Sequence, residues 1–193
     1  YENALASQRP KAGTIADGLT TDVDWSNSVS SLSANWAPFT DNAAVAYEYA
    51  VGTSTNALAD VLDWTSNSAN TSVTKTGLTL TEGSTYYVSV RATDTDSQLS
   101  DTTTTDGVTI DTDVPVISVV SEGSITEDID FQNSDSTIII SWSGEDNASG
   151  IFTYENALGS TPGGIDIWGW SFKGTATADT ISGLNLIENQ TYY

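Results

Sequence analysis

The chain has no cysteine, no histidine and no methionine. Without cysteine there is no disulfide framework, thiol nucleophile or thiolate zinc site. Without histidine there is no Ser-His-Asp triad, no imidazole metal ligand and no switch at neutral pH. Cations are almost as scarce. Five Lys and Arg stand against 26 Asp and Glu, a net charge of −21. So acidic a surface repels phosphate and argues against nucleic acid as a partner. No apolar run approaches the ~20 residues of a membrane helix, which argues against membrane insertion. The sequence as it starts at Tyr1 does not open on a charged-then-apolar signal segment. What is abundant is Ser and Thr, 54 of 193 residues.

The chain repeats itself at an offset of 106 positions. Asp22-Val23-Asp24-Trp25-Ser26-Asn27-Ser28 recurs as Asp128-Ile129-Asp130-Phe131-Gln132-Asn133-Ser134. The same offset relates Trp36 to Trp142, Asp60 to Asp166, Trp64 to Trp170 and Thr85-Tyr86-Tyr87 to Thr191-Tyr192-Tyr193. From Thr76 to Tyr87, 7 of 12 positions are identical to their counterparts. Solenoid repeats of ~20–50 residues cannot fold alone. A unit of 106 residues can bury its own core. The expected organisation is a leader over 1–13, one repeat over 14–113 and a second over 114–193. The sequence stops inside an expected strand, so the second repeat is expected to be incomplete and the chain to be part of a longer polypeptide.

Alternation of apolar and polar residues sets the fold class. In Ser31–Trp36 and Tyr86–Ala92 every second residue is apolar, which places those residues on one face of a strand. Turn residues punctuate the chain every 8–12 positions, as in a sandwich. One turn of helix is expected at 56–62. The expected class is therefore all-β, two tandem β-sandwiches with the second truncated at its C-terminal end.

Some residues also carry a family resemblance. A Trp closes an early strand (Trp36, Trp142), a Tyr-containing strand follows (Tyr47-Glu48-Tyr49, Tyr154-Glu155-Asn156), and then comes Leu80-x-x-Gly83-x-x-Tyr86. In the second unit the last pattern reads Leu186-x-x-Asn189-x-x-Tyr192. This resembles the fibronectin type III domain. More closely, it resembles the tandem fibronectin-like repeats of large bacterial surface and secreted proteins, in which Tyr-Glu-x-Ala-x-Gly-Thr-x-Gly-Gly-x-Asp is typical. Tyr154 to Asp166 fits that pattern, whereas the first unit departs from it at Ser54-Thr55-Asn56-Ala57. The resemblance implies Trp36 and Trp142 filling the space between sheets, and Tyr86 and Tyr192 each bonding back to the preceding corner.

Candidate chemistry is limited. The acidic residues fall on turns and recur with the repeat, as solvated loop charges would, and no Gly-x-Ser-x-Gly elbow is present. Asp106, Asp111 and Asp113 crowd the end of the first repeat, and Glu122, Glu127, Asp128 and Asp130 the start of the next. Calcium takes six to eight oxygen ligands, so Asp106, Asp111, Asp113, Glu122, Asp128 and Asp130 are candidates for an inter-repeat calcium site. No EF-hand spacing occurs. Trp168 and Trp170 share a strand face. Trp170 is expected in the core, because it matches Trp64. Trp168 is a candidate for sugar stacking or packing. Ile139 replaces the outward Ser33 and suggests a packing surface. Residues 1–8 read as a leader, or as a strand donated to a neighbouring chain.

The expected function is non-enzymatic: a structural or adhesive region of a long extracellular or cell-surface protein, serving as spacer, adhesin stalk or filament. Two alternatives are an accessory spacer or weak carbohydrate-binding region of a secreted degradative enzyme, and a self-assembling filament subunit. The expected partners are neighbouring repeats, homotypic filament contacts or surface glycans.

Overall fold

The computed structural model describes residues 8–124 and 126–193. The expected strand donation by residues 1–8 therefore falls almost wholly outside the described residues. All regular elements among the described residues are β-strands, so no helix is long and apolar enough to cross a membrane. The chain divides into two compact units, Tyr1–Thr112 and Asp113–Tyr193.

The first unit holds nine strands: β1 (Ile15–Asp17), β2 (Trp25–Ser26), β3 (Ser31–Trp36), β4 (Val45–Gly52), β5 (Leu62–Ser68), β6 (Ser72–Thr76), β7 (Thr85–Asp94), β8 (Thr103–Thr104) and β9 (Val108–Ile110). One sheet has the order β1-β3-β6. The other runs β2-β9-β7-β4-β5, with β8 on β7. Ladders are antiparallel except β2 with β9, which is parallel. The alternation read from sequence is the alternation of burial. Leu32, Ala34 and Trp36 of β3 point inward, as do Tyr86, Val88, Val90 and Ala92 of β7, and they meet Tyr47, Tyr49 and Val51 of β4 in one core. Each fully buried Val, Leu or Ile contributes roughly 1.5–3 kcal/mol, so this face holds the two sheets together. The ring of Tyr47 joins Trp36 and Phe39 edge to face, at centroid distances of 5.6 and 5.3 Å.

Residues 8–13 pack within this unit. Lys11 bridges Thr40 through both backbone groups. Arg9 donates to the Leu99 carbonyl and pairs with Asp101 at 2.8 Å.

The expected helical turn at 56–62 is replaced by a folded-back loop. Ser54 and Ala57 form a bridge, and Asp60 accepts from the Thr53 N–H and hydroxyl at 2.8 and 2.6 Å. These bonds offer the backbone an alternative to helix, which is why short polar segments favour turns.

The second unit has six strands: β10 (Val116–Ser124), β11 (Glu127–Asp128), β12 (Thr137–Glu145), β13 (Tyr154–Leu158), β14 (Trp168–Gly174) and β15 (Ala178–Ser182). They form a sheet of order β11-β10-β12-β15 and a pair β13-β14. Its core is smaller, with Ile138, Leu158 and Ile181 at the centre. The chain reaches Tyr193, whose N–H and C=O bond Gly159 just as Tyr87 pairs with Gly52. Among the described strands of this unit none corresponds to the rest of β7 or to β8 and β9.

Candidate functional site

The first unit gathers three carboxylates, those of Asp17, Asp22 and Asp106, each with an oxygen within 4.8 Å of the others. The fold explains how. Asp17 is in register with Ala34, and directly opposed residues in a ladder share a face. Since Ala34 is fully buried, Asp17 also faces inward, and none of its surface is exposed. The chain then turns at Gly18, whose φ of +89° suits glycine, and returns to place Asp22 Oδ1 2.9 Å from the Asp17 N–H. From the other sheet comes the turn before β9, where Gly107 donates its N–H to Asp17 Oδ2 at 3.1 Å. Gly107 has φ +108°, and a Cβ there would lie 2.7 Å from the Tyr87 ring. No other residue fits this turn without strain.

The electrostatics are unfavourable. Burial pushes the Asp17 carboxyl up to about 6. That value already includes the lowering by the Thr105 hydroxyl and the Gly107 N–H and the smaller raising by the charges of Asp22 and Asp106. Asp17 Oδ1 is buried without a hydrogen-bond partner among the described residues.

Of the six residues expected to bind calcium, Asp106 thus joins Asp17 and Asp22, which the sequence reading did not select. One available signal was the strand phase, which puts Ile15 and Asp17 on the buried side of β1. Asp111 is buried in the first unit, its N–H on the Ser26 carbonyl, and Asp113 is exposed at the start of the second. Glu122 and Asp128 repeat the Asp17–Asp22 pair. Asp128 Oδ1 accepts the Glu122 N–H at 3.2 Å, Gly123 takes φ +98°, and Glu122 opposes Ile140. Both carboxylates are exposed, as is Asp130.

The aromatic candidates lie on β14. Trp168 is 37% exposed, Trp170 65% and Phe172 76%. The expectation that Trp170 belongs to the core is therefore wrong. Its counterpart Trp64 shows the reason: Arg91 of β7 lies 4.0 Å over the Trp64 ring and bonds Glu48 through two nitrogens. Trp64 is thus covered from outside by a cation rather than buried between sheets, and the position 106 residues after Arg91 lies beyond Tyr193. Ile139 is exposed opposite Thr180. In the first unit the same place holds the Ser33–Thr74 hydroxyl pair at 2.9 Å.

Trp36 and Trp142 are buried, at 4 and 5% exposure. The Tyr86 hydroxyl accepts the Thr81 N–H at 2.9 Å. The half-buried Tyr192 accepts the Ile187 N–H at 2.8 Å. At the bend between them Gly83 has φ +73° and Asn189 φ +64°. Asparagine is the residue that best replaces glycine in that region.

Asp60 and Asp166 likewise form one repeated constellation, the latter bonding the Ser160 N–H and hydroxyl. Those hydrogen bonds, the side-chain one foremost, hold both carboxyls below the ordinary 3.8. A depressed folded value contributes stability above 3.8 that is lost as pH falls through the folded value. Carboxyl-carbon NMR titration should therefore find these two protonating only below the ordinary 3.8. A midpoint at or above 3.8 for either would contradict the bonded geometry.

No family model and no curated protein matches the chain. Solved structures do. The crystal structure of chicken CNTN1 FN1–FN3 domains aligns over 97% of this chain with a TM-score of 0.50 and 14% identity. The central fibronectin-III array of RIM-binding protein aligns over 92% of the chain and 59% of its own length, with a TM-score of 0.34 and 16% identity. The chain spans 58% of the length of the CNTN1 structure. With the two-sheet geometry above, that likeness fixes the fold: the chain is a tandem repeat of fibronectin type III-like β-sandwiches.

Proposed function

We propose that this chain is a structural and adhesive repeat region of a long extracellular or cell-surface protein, serving as spacer, stalk or filament, and that it is not an enzyme. The observation that carries this reading is what the repeat conserves inside one chain. Three of the duplicated side-chain bonds are Tyr86 to Thr81 and Tyr192 to Ile187, Thr53 to Asp60 and Ser160 to Asp166, and Ser28 to Ser31 and Ser134 to Thr137. Each fixes a turn or corner of the sandwich, and none is a substrate-facing pair. Duplicated fold-fixing contacts suit a module selected for stability and repetition. High acidic charge suits a solvated surface that keeps neighbouring units apart.

Single-molecule pulling tests the spacer role. The first unit should unfold in one cooperative step, releasing about 350 Å of contour from its 112 residues. Gradual extension without a force peak would reject it. The exposed Trp168, Trp170 and Phe172 favour a second reading, glycan stacking. Glycan-array binding that is lost in W168A would select that reading over the spacer.

A further inference from the structure

We propose that Asp17, Asp22 and Asp106 form a calcium-class divalent cation site that ties the first strand of unit 1 to the turn entering its last strand. It lies wholly within that unit and differs from the inter-repeat set expected from sequence.

The argument begins with a buried group that lacks a partner. Asp17 is fully buried, and one of its oxygens has no hydrogen bond among the described residues. Buried polar groups are nearly always satisfied, and an exception calls for a water or an ion. A water could supply the missing donor but would not offset charge. The charges acting on Asp17 are Asp22 and Asp106, both negative. Two exposed carboxylates and one buried carboxylate thus converge within 4.8 Å, an arrangement that repels itself unless a cation lies among them.

The donor set selects the class of ion. All three side chains offer oxygen, and the chain has no His or Cys to supply nitrogen or thiolate. Oxygen-only sites suit hard cations. Calcium completes six to eight ligands with carbonyls and water in a flexible geometry, whereas magnesium demands a strict octahedron. The backbone around the site is already committed. Gly107 donates to Oδ2 of Asp17, and Asp22 accepts the Asp17 N–H, so the carboxylates of Asp17 and Asp22 are held in place before an ion arrives. Asp17 is in the β1-β3-β6 sheet and Asp106 precedes β9 of the other sheet. An ion shared by them would cross-link the two sheets across 89 positions of sequence. The second unit keeps the pair Glu122 and Asp128, both exposed, so the buried carboxylate that carries the argument in unit 1 is not repeated there.

The test is calcium titration of the full chain after chelator treatment, read by calorimetry and by the thermal midpoint. Calcium should bind once per chain with measurable heat and raise the midpoint of the first unit, more than magnesium at equal concentration. D22N and D106N should each weaken binding by about tenfold or more, since affinity follows the count of charged ligands. Asp106 is exposed, so D106N should keep the wild-type circular dichroism. D17N should melt higher than wild type in chelator and no longer respond to calcium. E122Q/D128N should leave the response intact. The proposal is overturned by an absence of heat and midpoint shift in millimolar calcium. It is overturned equally by a full response in D17N/D22N/D106N, or by loss of the response in E122Q/D128N.

Discussion

Replacing Trp36 by alanine is expected to destabilise the first unit by about 3–5 kcal/mol, the range for truncating a large aromatic in a core. Trp36 ends β3, is 4% exposed and fills the space between the two sheets. Tyr47 packs on it edge to face, and Tyr47 in turn holds Phe39 through its ring and accepts the Phe39 N–H at 3.0 Å. Removing the indole thus leaves a cavity and loosens a second aromatic that fixes the segment after β3. The indole N–H has no hydrogen-bond partner among the described residues, so W36F forfeits volume but no polar contact. It should cost about 1–2 kcal/mol, in line with a partial deletion of buried carbons. Urea unfolding followed by far-ultraviolet circular dichroism measures both. A W36A cost below about 1 kcal/mol would mean that the site collapses freely, contrary to the packing described.

Gly52→Ala is expected to be the second most damaging small change. Gly52 ends β4, and a Cβ built on it would lie 1.8 Å from the Ala57 carbonyl oxygen and 2.7 and 2.8 Å from the carbonyl carbons of Ala57 and Leu58. All three are backbone atoms, so no rotamer relieves the clash. The loop from Thr53 to Asp60 must move away, taking with it the bond from Val61 N–H to the Val51 carbonyl. The cost should be about 3 kcal/mol, the upper part of the usual range for overpacking. Gly159 is the repeat's version of the same place, its Cβ position 2.3 Å from the Gly164 carbonyl carbon. Gly169 on β14 is the control. Nothing lies within 4 Å of its Cβ position, so G169A should stay within about 0.5 kcal/mol of wild type. Equal effects at Gly52 and Gly169 would show that the folded-back loop does not press on β4.

Both arguments rest on features that the sequence shows in part. Trp36 could be assigned inward from the Leu32-Ala34-Trp36 alternation and from its recurrence at Trp142. Gly52 could be marked as a turn residue, but the carbonyl pressed against it could not be foreseen, because 56–62 reads equally as a helical turn. The core place expected for Trp170 fails for a related reason. Its match to Trp64 is genuine, but what covers Trp64 is Arg91, a residue from another strand.

The sequence alone determines the all-β class, the 106-residue repeat and the inward phase of β3 and β7. Those follow from local periods and from self-similarity, which need no knowledge of which strands are neighbours. Tertiary structure alone decides that Asp17 and Asp106 meet, that Lys11 bridges Thr40, and that β2 runs parallel to β9. The physical reason is that strand pairing and sheet packing join residues far apart in the chain. A carboxylate's environment is set by those distant neighbours, whereas its place on a face is set by the residues beside it.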